Sequence, residues 1–433
     1  MIRKLKSILA VAFILSCPTV QAQEATLSLS DALSKSLADN YGLIISRAEV
    51  EVATINNHWG NAGGIPTIDF NASASNSLDI LDESYTNSVY GNVAMNWVLF
   101  DGLKVHIRND ILENQQLLSE GTLGVMIEST VEDVIMAYYN VLLQQKELEV
   151  LKTVMELSED RYRYELDRKA LGGSVTYNVL QAQNLYLTDK ANFMNQEVVV
   201  RTTVRDLNFL LGENPEKVWL FNEEFMADTA DYQLNDLISK MKANNQTLKN
   251  QYTNLMLRES ATSLERSDYS PSISLSTGIT GRRQGTAVIG ESSNFYNDLG
   301  LSSGVSLSYR IYDAGRRRRA VKVARINEEI ARVEIEEMEH ALTNELFNLY
   351  DYYQVRIALL RVAEENLAAA ELNLSISEDK YRNGVINSFN YRDIQLIYLN
   401  AAVNRLRAVY NLIHSRTQLT RITGGFLGTA PGE

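Results

Sequence analysis

The stretch Leu299–Arg319, LGLSSGVSLSYRIYDAGRRRR, decides how this chain is read, because it alternates with a period of two and then runs without a linker into a long helical pattern. Leu299, Leu301, Val305, Leu307, Tyr309 and Ile311 share one face, with mainly Ser and Gly opposite, as alternate strand residues must. The layout occurs twice. In the earlier copy Val89, Val93, Met95, Trp97 and Leu99 share a face, and Asp101-Gly102 falls 212 positions before Asp313 of the Asp313-Ala314-Gly315 turn. A wall that is apolar on one side and polar on the other is the pattern of a membrane β-barrel.

The duplication extends outward. LSDALSKSLADN from Leu29 matches LNDLISKMKANN from Leu234, and Pro66 matches Pro271 at the same shift of 205. Two internal repeats are therefore expected at about 29–212 and 234–424. Each opens with a helix, the first running from Leu29 to about Asn61 with Ser28 or Ser30 as cap and Gly63-Gly64-Ile65-Pro66 as stop. Each continues into a β-hairpin, at about 67–100 and 272–313, in which Ile68, Phe70, Ala72 and Ala74 alternate as Ile273, Leu275, Thr277 and Ile279 do. Polar tips longer than a tight turn are expected around Leu78–Asn87 and Arg282–Asp298. A spanning strand takes about 9–11 residues, which all four supply. Four strands cannot close, since the smallest outer-membrane barrels have about eight and an open edge in lipid is forbidden. The chain must pool its strands with copies of itself.

After each hairpin the period changes to steps of three and four. Ile335, Met338, Leu342, Leu346, Leu349, Tyr353, Ile357, Leu360, Ala363, Leu367, Ala370 and Leu374 form a coiled-coil seam. A helix from Arg316 to Arg382 is about 100 Å long at about 1.5 Å per residue; its counterpart runs from about Lys104 to Arg168, with Ile127, Val131, Val134, Tyr138, Val141 and Leu148 on its seam. Loops at Asp167–Asn178 and Lys380–Asp393 reverse both helices, and the return helices stop at Gly212 and near Gly424. Gly172, Gly173 and Gly384 are expected to turn these loops through positive φ. The fold class is mainly α with a membrane β-barrel part.

Arg3, Lys4 and Lys6 precede the apolar Ile8–Leu15, and Val20-Gln21-Ala22 has the small-x-small spacing of a cleavage site, so residues 1–22 read as a signal peptide and 23–433 as the exported chain. A second reading takes Ile14-Leu15-Ser16-Cys17 as a lipobox with Cys17 lipidated, against which Pro18 stands. Cys17 is the one cysteine, so cleavage after Ala22 removes disulfides and thiolate metal sites from consideration. The net charge of −13 becomes −16 when Arg3, Lys4 and Lys6 leave, which argues against a nucleic-acid partner. No later run approaches the about 20 apolar residues of a membrane helix. The four histidines lie far apart without metal-ligand spacing, and there is neither a phosphate-binding Gly loop nor a Gly-x-Ser-x-Gly nucleophile. No metal, cofactor or enzymatic activity is expected.

The pieces together resemble the TolC family of outer-membrane efflux proteins. They are the opening Leu29-Ser30-Asp31-Ala32-Leu33, the strand ends Leu99-Phe100-Asp101-Gly102 and Ile311-Tyr312-Asp313-Ala314-Gly315, the return Val179-Leu180-Gln181-Ala182-Gln183, and Lys380-Tyr381-Arg382-Asn383-Gly384. The resemblance covers essentially the whole mature chain. It implies a homotrimer in the Gram-negative outer membrane, with a 12-stranded barrel continued by an α-helical periplasmic tunnel. Such a channel is the exit duct of a tripartite efflux or type I secretion system, docking through a periplasmic adaptor protein onto an inner-membrane pump. A secreted coiled-coil scaffold or adhesin would explain the helices but not four membrane-length strands preserved in duplicate.

The resemblance also implies sites. Tyr381 and Asp393 stand at gate positions of the periplasmic aperture, whereas Asn390 stands where a second ring Asp is usual, Ile386 where an Arg is usual and Asn178 where the latch Asp is usual. Asp393 has a plainer reading as a carboxylate in the first turn of a helix. Gly172, Gly173 and Gly384 mark the tips at which an adaptor would dock, and Val305, Leu307 and Trp97 the lipid face of the barrel, with Trp97 at the interface. Arg316–Arg319 reads equally as a headgroup contact or as a solvated charge run.

Overall fold

The structure is a computed structural model that describes residues 25–81, 83–288 and 294–427; the expected signal peptide and Cys17 lie outside them. In chain order the elements are β1 (Ala25–Thr26), α1 (Leu29–Asp39), α2 (Tyr41–Asn56), β2 (Thr67–Asp79), β3 (Ser84–Phe100), α3 (Lys104–Ala170), α4 (Thr176–Leu210) and β4 (Trp219–Leu220), followed by α5 (Leu234–Asn244), α6 (Gln246–Ser267), β5 (Ser272–Val288), β6 (Asn294–Ser308), α7 (Arg316–Arg382) and α8 (Ser388–Ile422). The two long helices have 67 residues each and the two return helices 35 each. Two compact units result. One holds the described residues up to Tyr41, Thr130–Ala230 and Asp351–Gln418, and the other those of Gly42–Ser129, Asp231–Tyr350 and from Leu419 onward.

The opening helix is two helices rather than one. Ser28 caps α1 with a capping box, its hydroxyl accepting from the Asp31 amide (3.1 Å) while the Asp31 carboxylate accepts from the Ser28 amide (3.3 Å). Asn40 then takes an extended ψ of 126° and ends it. The break has a cause, because the last carbonyls of a helix have no partner of their own. The Asn40 amide and the Ser36 hydroxyl both donate to the Leu210 carbonyl at the end of α4 (2.9 and 3.1 Å). The arrangement recurs later in the chain: Asn245 separates α5 from α6 and donates to the Ile422 carbonyl at the end of α8 (3.0 Å). Glycine follows of necessity. Gly212 and Gly424 have φ of 65° and 68°, and a Cβ there would meet the Asp39 and Asn244 carbonyl oxygens at 2.5 and 2.6 Å.

The strands form one antiparallel sheet in the order β2-β3-β5-β6, with β2 and β6 as its edges. β2 runs to Asp79 and β3 starts at Ser84, while β5 runs to Val288 and β6 starts at Asn294, so the strands reach further into both polar segments than expected. At the other end β6 stops at Ser308, before Tyr309 and Ile311, which lie exposed beyond the strand. A β-bulge between Val98 and Phe100 removes Leu99 from its expected row, and Phe100 pairs with Ile273 in its place.

The seam of α7 is real. Ile335, Leu342, Leu346, Tyr353, Leu360 and Ala370 are buried and the other six expected positions half-buried. In α3, Val134, Tyr138 and Val141 are buried. The Arg316–Arg319 run is partly a clasp: Arg317 bonds Asp313 (2.9 Å), donates to the Asp268 and Arg310 carbonyls and lies over the Tyr269 ring. Arg316, Arg318 and Arg319 remain exposed.

Candidate functional site

Two places carry the sequence-predicted residues. The first is the sheet, where the register puts Phe70, Val93, Ile279 and Leu301 in one row and Trp97, Leu275 and Val305 in another, with Ile273 beside Leu307. All project from one face, since partners directly opposite share a side. The opposite face carries Asn71, Asn92, Thr280 and Gly300 in one row and Asn96, Ser276 and Gly304 in the next. The apolar members are largely exposed, Phe70 at 73% and Leu301 at 78%, so nothing among the described residues covers this face. The Trp97 indole donates to the Gly64 carbonyl (3.2 Å), fixing the ring at the start of the sheet.

The second place is where both helical hairpins turn. Along α3 the buried seam changes character there, reading Val154, Ser158, Arg161 and Glu165 at steps of four, three and four. Asp189 enters from α4, Tyr381 from α7, and Tyr391, Arg392 and Gln395 from α8, all buried. Arg392 grips Asp189 through two charge-assisted hydrogen bonds (2.6 and 2.8 Å), and the Ser158 hydroxyl also donates to Asp189. One turn nearer the loops, Glu165 accepts from the Tyr381 hydroxyl (2.8 Å) and from Ser174. Tyr381 stacks on Tyr391 with centroids 4.9 Å apart. Burial, reinforced by the Glu165 carboxylate, pushes the Tyr381 phenol far up, so it remains a neutral donor. These bonds tie the second hairpin to the first.

The expected gate residues divide. Tyr381 is buried in this network, whereas Asn178 does not meet it; its amide donates to the Ser174 hydroxyl (3.4 Å), which itself donates to Glu165. Glu165 is the carboxylate that Tyr381 engages. Asn390 and Asp393 lie exposed on α8. Because α8 begins at Ser388, earlier than its apolar pattern suggests, Asp393 is past the first turn and the plain helix-terminus reading fails. Gly172 and Gly384 have φ of 80° and 70°, but Gly173 does not share that conformation; its amide closes on the Arg168 carbonyl (2.7 Å). Beside these glycines Leu171, Val175, Tyr177, Val385 and Phe389 are exposed. Glu165, Asp189, Arg161 and Arg392 escaped the sequence reading, although polar residues recurring at seam spacing were a visible signal.

Among the described residues no helix is long and apolar enough to cross a membrane, and no cluster of His, Cys, Asp or Glu is placed to hold a metal. An uncovered amphipathic sheet with two open edges, continued by paired 67-residue helices, defines a subunit of a membrane channel with a helical extension. The outer membrane efflux protein model matches residues 32–213 and 237–425, and the chain belongs to that family. Solved structures share its fold. CusC matches at 16% identity with a TM-score of 0.76, covering 93% of each chain. The CmeC outer membrane channel of Campylobacter jejuni matches at 16% and 0.76, over 92% of this chain and 85% of its own. The MtrE outer membrane channel of Neisseria gonorrhoeae, in its open state, matches at 16% and 0.73, over 92% and 89%. No curated protein sequence matches closely enough to be counted a relative. The chain is thus an outer-membrane efflux channel subunit of a Gram-negative bacterium, extending into the periplasm, and channels of this family act as trimers with adaptor and pump partners.

Proposed function

We propose that three copies of this chain form a homotrimer with a 12-stranded barrel, and that the trimer works without catalysis of its own as the exit duct for an inner-membrane pump reached through a periplasmic adaptor. The observation that carries this is the open sheet. Its edges β2 and β6 are unpaired among the described residues, its strands of 13 to 17 residues exceed membrane length, and one face is apolar and uncovered. A second apolar stripe supports lateral packing in the tunnel: Tyr352, Val355, Leu359 and Val362 on α7, and Leu180, Leu187 and Met194 on α4, are exposed at coiled-coil spacing.

In this reading residues 1–22 direct export, and the mature chain is two repeats at about 29–212 and 234–424. Trp97, Val305 and Leu307 face lipid. Asp393 and Asn390 face the periplasmic aperture, and Tyr381 holds it closed, with Asn178 acting through Ser174. The tips at Gly172, Gly173 and Gly384 present Leu171 and Val385 to the adaptor, and the pump serves either efflux or type I secretion. Purification from outer membranes tests the core of it. A detergent-requiring trimer is expected, linked covalently when cysteines are placed at Ser73 on β2 and Ser302 on β6; a detergent-independent monomer overturns the proposal.

A further inference from the structure

The apolar face of the sheet carries one charge among the described strand residues. Arg283 stands in register between Val89 and Asn297, on the face of Ile279 and Leu301. The same register puts Asp69, Asp79, Arg282 and Asp298 on the opposite face. No strand acid therefore shares the face of Arg283. Its height along the strand is telling. Arg283 lies ten residues beyond Ile273, toward the end of the sheet away from the helices, which is about 34 Å along the strand and about 26 Å in height at a tilt of about 40°. The apolar band of an outer-membrane barrel is about 25 Å tall, so Arg283 falls where hydrocarbon gives way to outer-leaflet headgroups.

The guanidinium sits on a platform. It lies over the Phe295 ring, 4.8 Å from the centroid, and that ring lies across Gly285, the residue directly opposite Phe295. A Cβ at Gly285 would stand 2.7 Å from the ring, so glycine is what lets the ring lie there. Amides surround it: Asn297 is directly opposite Arg283, and Asn87, exposed on the same face, is its diagonal neighbour. We infer that Arg283, with Asn297 and Asn87, binds the phosphate of an outer-leaflet lipid on the outside of the barrel. This rests on the channel reading above, which sets that face against lipid. A guanidinium matches phosphate oxygens with two parallel hydrogen bonds, and carboxamides add further donors. A cation that only marked the water boundary would need neither the aromatic platform nor the neighbouring amides.

The test places the full-length protein in phosphatidylcholine nanodiscs doped with lipid A or with the same glycolipid stripped of its phosphates, and counts the glycolipid retained on the released protein by native mass spectrometry. Retention of the phosphorylated form should exceed that of the stripped form by about tenfold, the effect of charge-assisted hydrogen bonds to one group. Arg283→Gln should abolish the preference. Arg282→Gln, at the same height on the opposite face, should keep it. Equal retention of the two lipids, or a preference that survives Arg283→Gln, overturns the inference, and the wild-type comparison stands even if a variant does not fold. A detergent-independent monomer would overturn the channel reading together with this inference, whereas an inserted trimer without the preference would overturn this inference alone.

Discussion

The Tyr381 hydroxyl donates a 2.8 Å hydrogen bond to Glu165, 216 positions earlier in the chain, and so joins the end of one 67-residue helix to the end of the other. One turn further along the bundle the Arg392–Asp189 pair makes a parallel link between the two return helices. Both links are buried, and a buried acceptor left without its donor costs about 1–3 kcal/mol. The two hairpins therefore separate only by breaking several such bonds together.

Tyr381→Phe removes the donor and keeps the ring stacked on Tyr391. It should raise single-channel conductance in planar bilayers by loosening the closed tip, and lower stability by about 1–3 kcal/mol because Glu165 loses a buried partner. Unchanged conductance would assign Tyr381 to packing alone.

Asp393 is exposed on α8, and in a trimer three copies at one constriction would focus negative potential. Asp393→Asn should weaken blockade by multivalent cations in bilayer recordings while the trimer remains as stable as before. Cation block that survives the substitution would remove Asp393 from the aperture.

Val305 and Leu307 share the apolar face, and Ser306 points to the opposite one. Val305→Arg or Leu307→Arg should impair membrane insertion by about 2–4 kcal/mol if near midplane, and Ser306→Arg should be tolerated. Folding into lipid vesicles measures the difference, and equal damage from all three would reverse the faces.

Glu128, buried in α3 at 4% exposure, has its carboxyl pushed up to about 7 by burial, against the opposing pull of Arg421 and Lys249. The folded state therefore holds a proton that the unfolded chain releases near its ordinary 4.5. Its stabilising effect is complete below about pH 4.5 and is lost as pH rises through about 7. Glu128→Gln should flatten the fall in unfolding free energy between about pH 4.5 and 7 by an amount on the order of 1–3 kcal/mol, read from denaturant unfolding at each pH; a parallel pH profile would show that Glu128 ionises freely.

Much of this molecule could be read locally. Periods of two and of three-to-four report which faces are apolar whatever the neighbours are, and so the apolar rows through Val305 and Phe70 and the long seam through Leu342 and Tyr353 were legible residue by residue. Family motifs pointed to Tyr381 and Asp393, and the repeated Asp-Gly and Pro positions are what the expectation of two repeats rests on. Partners distant in sequence leave no such periodic trace. The break at Asn40 depends on the Leu210 carbonyl, and the displacement of Leu99 depends on a bulge opposite Ile273. Glu165 rather than Asn178 receives Tyr381 because three-dimensional packing brings those two groups within bonding reach. Arg161 reads in sequence as an ordinary charged residue; only the tertiary structure buries it beside the Arg392–Asp189 pair.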